Sequence, residues 1–279
     1  MSTQYLHRDG GRIAYDDTGG PGPLALAAPG MGDVRGVYRF LTPLLAAAGY
    51  RVLTMDLRGH GESSTDWQDY SPEAIGEDML ALVREVDAGP AVLIGSSFTP
   101  SSAVWAAAQA PDLVAGAVLI APWASQPRLN PLARLAAELV TRSAWLWTEG
   151  FYRTLYPTAP PPDFPAYRRA LRRNLRQPGR MAALRAMAHA PKGRANALVR
   201  DVRVPLLVVM GTKDPDFPDP EAEAHLMVEG AHDATVVMIA EAGHYPPAEM
   251  PEPTAAAILP FLRRVHADRR VQGRPADRP

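Results

Sequence analysis

One serine follows a short apolar stretch in a way that suits it to nucleophilic chemistry. Residues 95–99, Gly-Ser-Ser-Phe-Thr, come directly after the apolar run 91–94 and directly before a helical pattern. A sharp strand-to-helix turn of this kind exposes a serine hydroxyl at the carboxyl end of a sheet, and it needs small residues two places before and after the serine. Gly95 meets the first need, whereas Thr99 should crowd the turn. We predict that Ser97 is the nucleophile; the alternative is a polar pair that caps a helix.

A histidine is needed to take the proton of the serine, and two of the seven histidines follow predicted strands. His244 comes after the apolar run 234–239 and before the last predicted helix. His60 lies in Arg-Gly-His-Gly-Glu-Ser, also after a strand. Catalytic groups gather at the carboxyl ends of parallel strands. His244 is the predicted base and His60 is its main rival.

An acidic residue should orient the imidazole and stabilise its cation. Asp214 follows the apolar run 204–210 and is the predicted acid, with Asp216 and Asp219 as weaker candidates. The turn Pro-Gly-Met-Gly-Asp at 29–33 follows another apolar run. The backbone N–H groups of Met31 and Phe98 are therefore the predicted donors to an oxyanion. The alternative for this turn is a simple strand-to-helix connection.

The elements that must position these residues alternate along the chain. Apolar runs at 24–28, 51–55, 91–94, 115–121, 204–210 and 234–239 are separated by helical patterns, including 72–86 with Ser71 as its N-cap. Continuous apolar strands with helices between them are typical of a parallel sheet that is covered on both faces. Residues 11–16 are predicted to form an antiparallel lead-in strand. The predicted fold class is α/β, with a mostly parallel central sheet flanked by helices.

One segment interrupts this alternation. Residues 124–200 contain only helical patterns, and their 14 basic and three acidic residues give a net charge of +11. We interpret this segment as an inserted helical cap domain. Residues 1–123 and 201–267 would then form the core domain, and the polar residues 268–279 a flexible tail.

Five aromatic residues are candidates for the substrate pocket: Trp145, Trp147 and Phe151 in this segment, Trp123 at the end of the preceding strand, and Tyr245 next to His244. The alternative is that they form the cap's own hydrophobic core. A helix around Tyr167 and Leu171 carries many arginines. It either attracts an anionic substrate or lipid surface, or presents a solvated basic face that complements the acidic core.

Composition excludes several classes of function. The 279-residue chain has a net charge of −1 and no cysteine, which rules out disulfides and thiolate chemistry and argues against nucleic-acid binding. The first ten residues lack the apolar run of a signal peptide, and no apolar run approaches the ~20 residues that span a bilayer. We expect a cytoplasmic protein without a metal site or cofactor. The sequence does not indicate its oligomeric state.

These motifs together resemble the α/β-hydrolase superfamily, in the branch of esterases, epoxide hydrolases and haloperoxidases. The resemblance rests on Asp-Leu-Arg-Gly-His-Gly-Glu-Ser at 56–63, the turn around Ser97, and the surroundings of Asp214 and His244. The chain order serine, aspartate, histidine is the one expected for this fold. In such proteins the stretch at 56–63 is a structural loop, which implies that His60 is not the base.

The chain departs from that family pattern at two places. Pro29-Gly30 stands where the oxyanion loop usually reads His-Gly, and Thr99-Pro100 stands where the turn usually ends in Gly-Gly. A serine in place of the aspartate nucleophile of epoxide hydrolases argues against their chemistry, because water does not readily cleave an ether. An acyl-enzyme ester is readily cleaved.

The expected function is hydrolysis of a small, fairly apolar carboxylic ester through an acyl-enzyme on Ser97. The same groups would serve amide, thioester, lactone or carbon–carbon bond cleavage, or a perhydrolase-type haloperoxidase. A ligand receptor with little turnover is the alternative outside catalysis.

Overall fold

An eight-stranded sheet organises the molecule. The computed structural model describes residues 2–124 and 130–272. The strands lie in the order β1-β2-β4-β3-β5-β6-β7-β8. Their bounds are β1 Gln4–Arg8, β2 Gly11–Asp17, β3 Leu24–Ala28, β4 Arg51–Met55, β5 Ala91–Ser96, β6 Val114–Ile120, β7 Leu206–Gly211 and β8 Ala234–Ile239. The pairs β1–β2 and β2–β4 are antiparallel, and all the others are parallel. The predicted α/β class is confirmed.

Burial explains which strands the sequence revealed. Every residue of β3, β5, β6 and β7 is buried, so these strands consist of continuous apolar runs. Strand β1 was missed, because it lies at the sheet edge and only Leu6 among its five residues is buried. A hairpin at Gly10, whose φ is +97°, joins it to the predicted lead-in strand β2.

Helices cover both faces of the sheet. Their bounds are α1 Leu41–Ala47, α2 Pro72–Val86, α3 Pro100–Gln109, α4 Pro131–Val140, α5 Phe164–Leu175, α6 Arg180–His189, α7 Gly193–Ala197, α8 Pro220–Met227, α9 Pro246–Glu249 and α10 Pro251–Gln272, with short turns at Arg35–Tyr38, Leu146–Phe151, Tyr152–Leu155 and Leu198–Asp201. Ser71 caps α2 as predicted, because its side chain accepts a hydrogen bond from the Ala74 N–H. Helix α10 ends at Gln272, so residues 268–272 of the predicted tail are helical, and residues 273–279 lie outside the described part.

The described residues between β6 and β7 form helices joined by turns and irregular connections, with no strand among them, as the sequence indicated. Helix α5 buries Leu171 and Leu175 on one face. Its arginines 168 and 172 both contact Glu149, an acid of the same segment rather than of the core. Helix α4 buries none of its side chains. No described helix is both long and apolar enough to cross a membrane.

Candidate active site

The turn after β5 holds Ser97 in a strained conformation. Its φ is +61°, a left-handed value that non-glycine residues rarely adopt. The residues on either side are buried, whereas Ser97 itself is partly exposed. A Cβ atom on Gly95 would lie 2.6 Å from the backbone carbon and oxygen of Thr99, so only glycine fits there. This is the close approach that the sequence motif predicted.

Thr99 strengthens the turn that it was expected to crowd. Its buried hydroxyl accepts a hydrogen bond from the Ser96 N–H (2.8 Å) and donates one to the Ala28 carbonyl (2.9 Å). The Tyr38 hydroxyl donates to the same carbonyl and accepts from the Ser96 hydroxyl, both at 2.7 Å. Two hydroxyl groups therefore join the turn after β5 to the end of β3. Glycine at position 99 would lose the Thr99 hydrogen bonds and leave those of Tyr38.

The loop at 29–33 passes directly beside Ser97. A Cβ atom on Gly30 would lie 2.9 Å from the Cβ of Ser97. The Gly32 N–H donates to Nε2 of His60 (3.1 Å), and the Gly32 carbonyl accepts from the indole N–H of Trp147 (3.1 Å). His60 and Trp147 thus hold the loop at Gly32 by one hydrogen bond each.

The two predicted oxyanion donors lie on either side of this close approach. Met31 follows Gly30 in the loop, and Phe98 follows Ser97 in the turn. Within residues 2–124 and 130–272, neither backbone N–H donates to a protein acceptor. Backbone N–H groups without a protein acceptor are well suited to bind a developing negative charge.

Asp214 and His244 meet as the sequence predicted. Nδ1 of His244 lies 2.8 Å from Oδ2 of Asp214, and both side chains are buried. The other oxygen of Asp214, Oδ1, accepts from the Asp216 N–H (3.0 Å). Oδ2 of Asp216 lies 3.6 Å from the same His244 nitrogen. Asp216, the weaker candidate for the acid, thus places a second carboxylate beside the imidazole.

These carboxylates set the charge of His244. Burial alone lowers the pKa of His244, but the nearby Asp214 and Asp216 carboxylates outweigh it and raise the pKa to about 9. Since Nδ1 faces Asp214, Nε2 is the nitrogen left to exchange a proton with a reacting group.

Backbone contacts fix the histidine loop. Oε1 of Glu249 accepts from the N–H groups of Gly243 (3.1 Å) and Tyr245 (3.2 Å), on either side of His244. Burial is the main cause that raises the pKa of Glu249 to about 7. The His244 N–H donates to the Leu155 carbonyl (3.0 Å), which connects this loop to the helical segment.

A second buried acid joins the loop at 29–33 to the helical segment. Asp33 accepts hydrogen bonds from the hydroxyls of Tyr152 (2.7 Å) and Tyr167 (2.6 Å). Burial raises its pKa to about 6, against the effect of these two donors. Asp33 ends the loop that was predicted to supply an oxyanion donor, but its own contacts were not predicted, because the two tyrosines are more than 100 residues away.

The aromatic pocket candidates divide into two groups. Trp147, Phe151 and Tyr245 lie near the loops of the site: Trp147 contacts Gly32, Phe151 packs on Trp147, and the Tyr245 ring meets the His244 ring edge-on at 5.2 Å. Trp123 packs against Phe217 at 4.9 Å. Trp145 is exposed to solvent over 54% of its surface, and its part in a pocket stays a prediction.

Lys192 is a further residue that the sequence analysis missed. Its ammonium lies 5.2 Å from the ring centre of Phe98 and 5.4 Å from that of Trp123. The one available signal was composition, since Lys192 is the only lysine among the 14 basic residues of 124–200.

A metal ion has one possible set of ligands in the described residues. Ligand atoms of Asp214, Asp216 and His244 all lie within 4.8 Å of one another. However, the His244 nitrogen of this set already donates to Asp214. The hydrogen bond between Asp214 and His244 therefore orients the imidazole and occupies the nitrogen that a metal ion would need.

Comparison with known proteins decides the family. The sequence profile of the alpha/beta hydrolase family matches residues 25–257, most of the chain. The chain belongs to the alpha/beta hydrolase family. The family profile also covers residues 131–201, which lie between β6 and β7 of this alpha/beta hydrolase.

Individual relatives agree with this assignment. The 2-(acetamidomethylene)succinate hydrolase of Mesorhizobium japonicum is 29% identical over 265 residues, which cover 87% of this chain and 89% of that protein. A thermophilic esterase from Thermogutta terrifontis superposes with a TM-score of 0.77 at 28% identity, covering 95% of this chain and all of the other (100%).

A bromoperoxidase from Bacillus anthracis has a TM-score of 0.81 at 19% identity, covering 94% of this chain and 100% of that one. This third likeness concerns the fold alone. The chain thus belongs to a family of hydrolase-type enzymes, and its relatives include a hydrolase and an esterase.

Proposed function

We propose that the protein hydrolyses a carboxylic ester through an acyl-enzyme on Ser97. His244 takes the Ser97 proton as the hydroxyl oxygen attacks the ester carbonyl, and the Met31 and Phe98 N–H groups bind the resulting oxyanion. The intermediate collapses, and the alcohol leaves with the proton held by His244. Water, deprotonated by His244, then releases the acid and restores Ser97.

One observation carries this proposal above the others. The buried Asp214–His244 pair, 2.8 Å apart, follows β7 and β8 at the same sheet edge where β5 ends in the strained Ser97. If the Asp214–His244 pair were only structural, the left-handed backbone conformation of Ser97 would have no explanation. A nucleophilic serine on a sharp strand-to-helix turn adopts this conformation, because it exposes the hydroxyl.

The predicted cap, residues 124–200, completes the site, which is the second part of the proposal. Trp147 and Tyr152 bond to Gly32 and Asp33 of the oxyanion loop, and Leu155 bonds to His244. Both loops of the site are thus held by the same segment. Loops held in this way keep the proposed oxyanion donors and His244 in fixed positions, which favours transition-state binding.

Amide hydrolysis is the second candidate. The same groups would cleave an amide, and the Mesorhizobium relative is named for a substrate with an acetamido group. Epoxide opening is disfavoured, because attack by Ser97 would leave an ether on the enzyme.

A substrate panel separates these functions. Wild type and Ser97→Ala are incubated with p-nitrophenyl esters of two to ten carbons, matched anilides, a lactone and a thioester. We expect turnover of esters by wild type at least ~10³-fold above Ser97→Ala. Greater turnover of the anilides than of the esters would favour the amide candidate. Wild type as inert as the variant on every substrate would contradict the proposal.

A further inference from the structure

One cation lies against the turn that carries the proposed nucleophile. Lys192, just before α7, is partly buried, and its ammonium sits between the rings of Phe98 and Trp123 at 5.2 and 5.4 Å. Phe98 is buried and supplies one of the two proposed oxyanion donors. Trp123 packs on Phe217, whose ring centre lies 6.3 Å from that of His244. The cation therefore belongs to the immediate surroundings of the site.

Lys192 has no ionic partner in the described part of the chain. No ion pair within 4.0 Å joins it to a carboxylate among residues 2–124 and 130–272. Asp216 is the acid that acts on it most, yet Asp216 lies 3.6 Å from His244. Burial lowers the pKa of Lys192, and Asp216 only partly opposes this effect. A desolvated ammonium without a paired anion is costly, and an anionic ligand would remove that cost.

We propose that Lys192 binds a carboxylate of the substrate, so that the hydrolysed ester belongs to an acid or an alcohol that carries a second, ionised carboxyl group. The inference rests on the proposed ester hydrolysis and names its substrate class. The rings of Phe98, Trp123 and Phe217 would contact the carbon skeleton, and Lys192 would hold the charge. The substrate is then apolar along its body and anionic at one end, rather than apolar throughout.

The competing explanation is packing alone. A cation over an aromatic ring contributes ~0.5–2 kcal/mol without any ligand. Packing predicts equal effects of Lys192 substitutions on anionic and neutral substrates, whereas carboxylate binding predicts a loss for the anionic substrate in particular.

Two pairs of esters of matched size distinguish these explanations. The first pair is p-nitrophenyl hemisuccinate and p-nitrophenyl butyrate, which place the carboxylate on the acyl side. The second is 4-acetoxybenzoate and 4-methylphenyl acetate, which place it on the alcohol side. In each pair the measured quantity is kcat/KM of the anionic ester divided by kcat/KM of the neutral ester.

Three variants are compared with wild type. Lys192→Met keeps an unbranched chain against the two rings, and Lys192→Arg keeps the charge. Arg194→Gln removes an equal charge from an exposed position two residues away. We expect Lys192→Met to lower the ratio at least tenfold in one pair, mainly through KM, and Lys192→Arg to retain most of the preference. Arg194→Gln should change the ratio less than twofold.

Other outcomes overturn the inference while leaving the proposed function intact. If wild type cleaves the esters but Lys192→Met keeps both ratios within twofold of wild type, carboxylate binding by Lys192 is wrong. The same holds if Arg194→Gln lowers the ratio as much as Lys192→Met.

A binding measurement keeps the two hypotheses separate. In the Ser97→Ala background, Kd for monomethyl succinate is measured by calorimetry with and without Lys192→Met. We expect a Kd at least fivefold higher in the double variant. An equal Kd in both proteins contradicts the inference even if no ester is turned over, and that lack of turnover would contradict only the proposed function.

Discussion

Two buried histidines of this hydrolase start from similar positions and end with opposite properties. His60 and His244 each follow a glycine at the carboxyl end of the sheet, and each has 1% of its surface exposed. The pKa of His60 is lowered to about 4, whereas that of His244 is raised to about 9. Equal burial has therefore produced a histidine that stays neutral and one that holds its proton.

The neighbours of the two rings account for the difference. Nδ1 of His60 donates to the Arg58 carbonyl (2.8 Å), so Nε2 must accept from the Gly32 N–H, and no carboxylate opposes the effect of burial. His244 faces Asp214 and Asp216. A fixed neutral ring suits the support of a loop, and a ring paired with carboxylates suits the transfer of a proton. These surroundings favour a structural role for His60 and the proposed role of general base for His244.

Loss of the proton carrier should have the largest effect. In His244→Gln we expect kcat for ester hydrolysis to fall at least ~10³-fold with a much smaller change in KM, because the general base acts mainly in the transition state. The measurement is steady-state turnover of a p-nitrophenyl ester. Circular dichroism of the variant serves as the control for folding. A fall of less than tenfold would remove His244 from the role of base.

Loss of the loop support should have a smaller effect. In His60→Gln the Gly32 N–H loses its acceptor and the loop at 29–33 is less well held, so we expect kcat to fall ~10- to 100-fold. This is no more than the ~10²- to 10³-fold cost of removing an oxyanion donor outright. A loss as large as that of His244→Gln would mean that the two histidines had been assigned the wrong roles.

The pH dependence should follow His244 alone. Only its neutral form can accept a proton, and its pKa lies near 9, so kcat/KM should rise with pH across neutrality. Asp216→Asn removes a negative charge 3.6 Å from Nδ1, which lowers the pKa and moves the midpoint of the profile to lower pH. His60→Gln should leave the midpoint unchanged. A midpoint that moves in His60→Gln but not in Asp216→Asn would contradict the comparison.

Folding stability should show the smallest effect, with opposite signs for the two histidines. Between pH 4 and 6.5 the unfolded chain binds a proton at His60 that the folded protein does not, so this histidine destabilises the fold as pH falls. Between pH 6.5 and 9 the folded protein holds a proton at His244 that the unfolded chain has lost, so that contribution declines as pH rises.

Urea unfolding across pH checks this difference. In His60→Gln, the unfolding free energy should change less with pH between pH 4 and 6.5 than it does in wild type. In His244→Gln, it should change less with pH between pH 6.5 and 9. The same slopes in wild type and both variants would show that neither pKa is shifted in the folded protein.

The sequence predicted the parts of this molecule that depend on local pattern. Helix α2 begins and ends where its apolar spacing and the Ser71 cap place it, and β4 has the predicted bounds. The meeting of Asp214 with His244 was also predictable, because carboxyl ends of parallel strands share one edge of a sheet.

Contacts between distant parts of the chain were not predictable. Thr99 was expected to crowd the turn, since nothing near it in sequence shows that its hydroxyl reaches the end of β3. The hydrogen bond of His60 could be found only once the position of Gly32 was known. The contacts of Asp33 likewise depend on the positions of Tyr152 and Tyr167. Trp145 and Trp147 have the same residue type two places apart, yet only the folded helical segment determines which one is exposed.

The rate of covalent labelling tests the central claim most directly. Wild type, Ser97→Ala, His244→Gln and His60→Gln are treated with one equivalent of a fluorophosphonate, and the modified residue is located by peptide mass spectrometry. We predict a single adduct on Ser97 in wild type and none in Ser97→Ala. Labelling should be at least ~100-fold slower in His244→Gln and only modestly slower in His60→Gln. An adduct on another residue, or labelling of His244→Gln as fast as wild type, would contradict the account.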